Sequence, residues 1–205
     1  MKKQKRQVLL LGLLTLLVMP ATGALLIYFL SDIAITERLT GPYPWWKQVL
    51  LGIPLGLTSA WGAKYIIDLP KMSTTKHQAD AMIAGLNLNK SEMVFLSLCA
   101  GVGEELLFRG AIQGLILPFS PLLAIMGSSI LFVAIHGYLN PKAGKIAWYG
   151  IYLVGIVAIW GVLSEEIGIF VAIVAHFIVD VYLFFSVAKE AEKTELPLFY
   201  EQEAE

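Results

Sequence analysis

Charge is scarce in this chain, and cysteine scarcer still. Charged residues make up 15% of 205 positions, and Cys99 is the only cysteine. A lone cysteine excludes an intramolecular disulfide and any cysteine-rich metal site. No basic patch is interleaved with aromatics, so nucleic acid is not an expected partner. There is no HExxH pattern, the usual zinc-protease spacing, and no internal repeat or low-complexity tract. What the chain has is apolar length: 57% of it is hydrophobic, with mean hydropathy +0.71. Several runs reach the ~20 residues that cross a ~30 Å hydrocarbon core. The composition describes a multi-pass protein of the lipid bilayer.

Periodicity and breakers predict an all-α membrane helix bundle of about six transmembrane helices. They fall at about 8–30, 46–67, 92–117, 119–139, 146–163 and 167–187. We read one structural domain in three parts: two spans and a loop over 1–91, a four-helix core over 92–187, and an acidic tail over 188–205. Lys2, Lys3, Lys5 and Arg6 precede an apolar run that continues past Ala21-Thr22-Gly23-Ala24 to Leu30. That run is too long for a cleaved leader, so an uncleaved first span is expected. Lys71, Lys76, Lys90, Lys142, Lys145, Lys189 and Lys193 fall on the side of the basic N-terminus, with Lys64 near that end of its span. Arg38 and Lys47 alone fall opposite. The bias places both termini in the cytoplasm of a cell-membrane protein.

Against this background Glu104, Glu105 and Arg109 stand out, because each charge at bilayer depth costs ~2.5–3.5 kcal/mol on insertion scales. Such groups face the bundle interior or a wet cavity, where they mark chemistry or a transport path. Glu105 and Arg109, spaced i and i+4, share a helix face and can neutralise each other. Glu104 points about 100° away and needs another partner. Gly101 and Gly103 let a neighbouring helix or substrate come close. Phe132 and His136 repeat the i, i+4 spacing on the fourth span. His176 and Asp180 do so on the last, where the carboxylate can set the imidazole tautomer. By helical rise, Glu104 lies roughly 18 Å from the inner end of its span, and His176 and Asp180 about 10–17 Å from theirs. The expectation is one polar pocket in the cytoplasmic half. A structural account also exists, with a salt bridge and polar clamps gluing helices.

His77, Asp32 and Glu37 read as loop charges, Glu165 and Glu166 as an exposed outer turn, and Trp45 and Trp46 as an aromatic belt. Two mechanisms suit the embedded set. Glu104 and His136 could deprotonate a water that attacks an amide carbonyl, with His176 and Asp180 facing the oxyanion. Alternatively, a divalent metal such as zinc, held by Glu104, His136 and His176, could do both jobs. Spacing gives the metal no positive support, so no cofactor is expected.

Glu-Glu-x-x-x-Arg at 104–109, Phe-x-x-x-His at 132–136 and His-x-x-x-Asp at 176–180 resemble the three signatures of the CPBP intramembrane proteases. This family of CAAX prenyl proteases and bacteriocin-processing or self-immunity proteins is also called Abi. The resemblance covers roughly 92–187. It implies an endopeptidase cleaving a membrane-associated peptide or protein from the cytoplasmic side. It makes Glu104 and His136 the water-activating pair, and Glu105 and Arg109 the residues that order the site. His176 with residue 180 becomes the oxyanion site. The prenyl-protease branch has asparagine at that last position, so Asp180 departs from it. Two other classes fit the same residues: a non-catalytic membrane partner in immunity or signalling, and a proton-coupled carrier.

Overall fold

Exposed leucines cover the outside of this bundle, and a mainly apolar core encloses a small set of buried polar and charged side chains. The computed structural model describes residues 2–31, 34–72, 83–139 and 146–194. Asp32, Lys76, His77, Lys142, Lys145 and the tail from 195 onward lie outside the described residues. Helix α1 runs Lys2–Leu30, α2 Ile35–Thr40, α3 Trp45–Ile67 and α4 Lys90–Glu105. Helix α4 continues without a break into a π-helical stretch, Leu106–Gln113, and a last turn, Gly114–Ile116. Helix α5 spans Pro121–Ile135, α6 Ile146–Glu166 and α7 Phe170–Thr194. Among the described residues there is no strand, and the protein is an all-α membrane helix bundle.

The starts and stops have local causes. Asn89 and Glu92 form a reciprocal capping box that opens α4, at 3.0 and 2.7 Å. Ser120 caps α5, with Pro121 in its first turn. Close approach is permitted by small residues. Gly52 and Gly56 bring α3 onto the backbone of α7 at Val171 and Ala175. Gly101 faces Ile173 and Phe177 of α7, while Gly103 faces the backbone of Thr15 on α1. Helix α4 is thus wedged between α1 and α7, as its glycines suggest.

Four helices have the length and composition to cross a membrane: α1, α3, α6 and α7. Two of the six expected spans differ. The third is long enough only as the composite of α4, its π stretch and the final turn. The fourth, expected over 119–139, is a 15-residue helix that ends before His136. Residue 136 caps it at φ −79° and ψ −1°, and Gly137 follows at φ +81°. The chain thus leaves the helix there. The outer loop around Arg38 is also more ordered than expected, because α2 occupies it.

Charges sort to the two ends. Lys5 pairs with Glu92 at 2.7 Å, and Lys64 pairs with Asp68 and Glu190, which joins α1 to α4 and α3 to α7 at one end. Trp45 and Trp46 are exposed at the other. Between the ends, the largest fully buried side chains include Arg109, Gln48, Gln113 and Glu105.

Candidate active site

The Glu104-Glu105 step closes the regular part of α4, and the widened i→i+5 winding begins at the next residue. Such π segments recur at functional sites. Glu105 is fully buried. Its Oε2 lies 3.2 Å from Arg109 Nε, in the i, i+4 pairing expected of the two. Its Oε1 lies 2.9 Å from His176 Nδ1 on α7. One carboxylate therefore joins the Glu-Glu-x-x-x-Arg segment to the last helix. From spacing alone His176 pairs with Asp180, but that contact is 3.6 Å from Nε2, beyond a hydrogen bond. Glu105 is the nearer partner, so it orients the ring.

Glu104 faces elsewhere, as the 100° offset requires. Its Oε2 stands 3.5 Å from His136 Nε2. That oxygen is buried and has no hydrogen-bond partner in the protein. His136 Nδ1 bonds the carbonyl of Phe132 at 2.7 Å, which fixes the ring and presents Nε2 to Glu104. The i, i+4 relation of Phe132 and His136 thus acts through the backbone as well as through ring contact at 4.7 Å.

Phe132 is the hub of the aromatic packing. Its ring meets Phe108 edge-on at 5.1 Å, His176 edge-on at 5.7 Å, and the Arg109 guanidinium at 5.5 Å. That last contact is a cation–π approach, and it covers a guanidinium whose Nη2 has no hydrogen-bond acceptor. Trp160 closes the other side of His176 at 5.7 Å between ring centres, and its own Nε1 donates to Ser59 on α3.

Glu104, His136, His176 and Asp180 all line one cavity of about 210 Å³. Phe132, Tyr138, Tyr149, Val157 and Trp160 form most of its apolar wall. The four candidates from three separate motifs are therefore brought together, while Glu105 and Arg109 sit behind them. Among the described residues, no three His, Cys, Asp or Glu side chains converge as metal ligands do. Glu104, His136 and His176, the set named for zinc, do not form such a group.

Several residues of the site escaped sequence reasoning. Arg109 Nη1 donates to Ser128 Oγ at 3.3 Å, and Ser128 Oγ donates to Gln113 Oε1 at 3.2 Å. Gln113 Nε2 donates to Glu165 at 2.6 Å. Glu165, expected on an exposed turn, has a side chain only 16% exposed and is gripped by Arg38. Its neighbour Glu166 is exposed, as expected. The signal available was that Gln113 and Ser128 are polar residues inside apolar spans, where polar side chains face the interior.

Residues 88–182, just under half of the chain, match the family model described as type II CAAX prenyl endopeptidase Rce1-like. All three motifs lie within that segment. No match was found among curated proteins or solved structures.

Proposed function

We propose, from the match of residues 88–182 to the Rce1-like model of type II CAAX prenyl endopeptidases, a metal-free intramembrane endopeptidase that activates water with Glu104 and His136. The observation that carries this reading is Glu104 Oε2, buried without a protein partner at the cavity wall and 3.5 Å from His136 Nε2. A water bound between the two would receive one acceptor from each, and the carboxylate would take its proton.

The water oxygen attacks the carbonyl carbon of a peptide bond laid in the cavity. The carbonyl oxygen becomes the oxyanion and faces His176 Nε2 and Asp180. Since His176 donates Nδ1–H to Glu105, its Nε2 stabilises the oxyanion only in the doubly protonated ring. Glu105 and Asp180 supply the countercharge for that form. Glu104 then passes its proton to the leaving nitrogen, the C–N bond breaks, and a carboxylate and an amine remain. Glu105 and Arg109 hold His176 in place throughout and touch no substrate.

The substrate is a membrane-associated peptide or protein. Prenylated protein termini and bacteriocin precursors are the first two classes to offer it. Lys5, Lys64, Lys90 and Lys189 gather at one end, which we place in the cytoplasm by the positive-inside rule.

The test is hydrolysis in H₂¹⁸O. Purified protein in detergent should generate a new C-terminus carrying one ¹⁸O, and Glu104→Ala should not. Binding without cleavage would favour the sequestering partner, and a substrate-driven pH change across proteoliposomes the carrier.

A further inference from the structure

Arg38 sits on α2, outside the matched segment, yet its guanidinium reaches the middle of the π stretch. Nε donates to the Gly110 carbonyl at 3.1 Å and Nη2 to the Arg109 carbonyl at 3.3 Å. The stretch closes at Gly114, whose N–H bonds back to Ala111 three residues earlier. Nη1 and Nη2 also take both carboxylate oxygens of Glu165, in the planar fork that arginine alone provides. One guanidinium thus fixes the backbone beside Arg109 and clamps α2 to α6.

The clamp does not end at α6. Glu165 Oε1 accepts from Gln113 Nε2, whose second anchor is the Gly161 carbonyl at 2.9 Å. Gln113 Oε1 accepts from Ser128, and Ser128 accepts from Arg109. Arg109 faces Glu105, and Glu105 holds His176. Hydrogen bonds make every link of this line except Arg109 to Glu105, which is an ion pair at 3.2 Å, and every side chain between Arg38–Glu165 and His176 is fully or almost fully buried. Two glycines are shaped to it. A Cβ on Gly114 would overlap the Arg38 guanidinium, and one on Gly161 would lie 2.7 Å from Gln113 Oε1.

We propose that Arg38 and Glu165 are positioning residues for the reaction at Glu104, acting through Gln113, Ser128 and Arg109 on the Glu105–His176 pair. This rests on the endopeptidase reading above. Without the clamp, the π segment loses two carbonyl anchors and Arg109 loses the support of its Ser128 acceptor. His176 and the Glu104 carboxylate then drift relative to each other, which costs turnover more than binding.

The experiment compares Glu165→Gln, Arg38→Ala and Gly114→Ala with Gln48→Ala as control. Gln48 is a buried polar residue that ties Thr40, Tyr43 and Phe170 together without joining the line to His176. Two readouts are taken: kcat with KM, and the ring-nitrogen resonances of His176, assignable in a protein with three histidines. Glu165→Gln and Gly114→Ala, which are nearly isosteric or keep every charge, should lower kcat about tenfold or more. KM should stay within about twofold, and the His176 resonances should move. Gln48→Ala should change neither readout. Wild-type kcat with unmoved resonances in Glu165→Gln and Arg38→Ala would overturn the proposal, as would an equal effect of Gln48→Ala. If the wild-type protein cleaves nothing, the endopeptidase reading fails, while the His176 resonances still decide the positioning role.

Discussion

Glu105 and His176, 71 positions apart, meet at 2.9 Å between Oε1 and Nδ1, and both are buried. That contact gives Glu105 two jobs, since its other oxygen neutralises Arg109. It also separates the two adjacent glutamates by function. Glu105 is turned inward to hold other groups, and Glu104 is turned to the cavity with an oxygen to spare.

Removing Glu105 should therefore damage the fold as well as the chemistry. Glu105→Ala leaves Arg109 charged, buried and without a carboxylate, a loss of about 3–5 kcal/mol for a buried pair broken on one side. Thermal unfolding in detergent should report it. Replacing both together, Glu105→Leu with Arg109→Met, should recover most of the stability and none of the activity. Recovery of activity in the double variant would contradict an ordering role.

His136 should behave in the opposite way. Its side chain is 36% exposed and its ring is held mainly by the Phe132 carbonyl. His136→Ala should lower kcat by about 10²–10⁴-fold, the usual range for a lost acid–base partner. The unfolding temperature should barely change. A large destabilisation would instead assign His136 to the packing.

The Phe132 ring meets four partners, Phe108, His136, His176 and Arg109, so Phe132→Ala should cost about 3–5 kcal/mol as a core truncation. Phe132→Leu keeps most of the apolar bulk but loses the ring contacts to Phe108, His136, His176 and Arg109. It should fold and still lose turnover. Parallel kinetic and unfolding measurements on the two variants separate these effects.

The three motifs were legible because membrane burial makes every charge informative and helical spacing fixes which residues share a face, while their convergence was an expectation drawn from depth along each span. Glu105 with Arg109, and Glu104 turned away from them, follow from that geometry alone. The Glu105–His176 contact does not, because sequence carries no helix adjacency. Arg38 and Glu165 were hidden for the same reason: they lie 127 positions apart, and each alone reads as an ordinary charge near a span end. The π stretch was hidden too, since i→i+4 and i→i+5 winding draw on the same apolar residues. The short α5 follows from Gly137 at positive φ just after a run that hydropathy alone would extend.

Asp180 tests the oxyanion assignment. Asp180→Asn keeps a polar group toward Nε2 and adds an amide donor toward the oxyanion, so kcat should stay within about tenfold of wild type. Asp180→Leu offers neither and removes countercharge from the doubly protonated His176, so it should lose about 10²–10³-fold, the cost of weakening that ring as an oxyanion donor. Equal activity in both variants would remove Asp180 from the chemistry. Prolonged chelation, followed by elemental analysis, should leave kcat unchanged. Loss of activity restored by zinc would return the metal mechanism to first place.

The central claim is that Glu104 takes the proton of the attacking water. Glu104→Gln preserves shape and removes that capacity, so its single-turnover cleavage rate on a membrane-associated peptide measures the claim most directly. The account predicts a loss of about 10²–10⁴-fold with substrate binding and unfolding temperature unchanged. A Glu104→Gln protein that cleaves at the wild-type rate would contradict it.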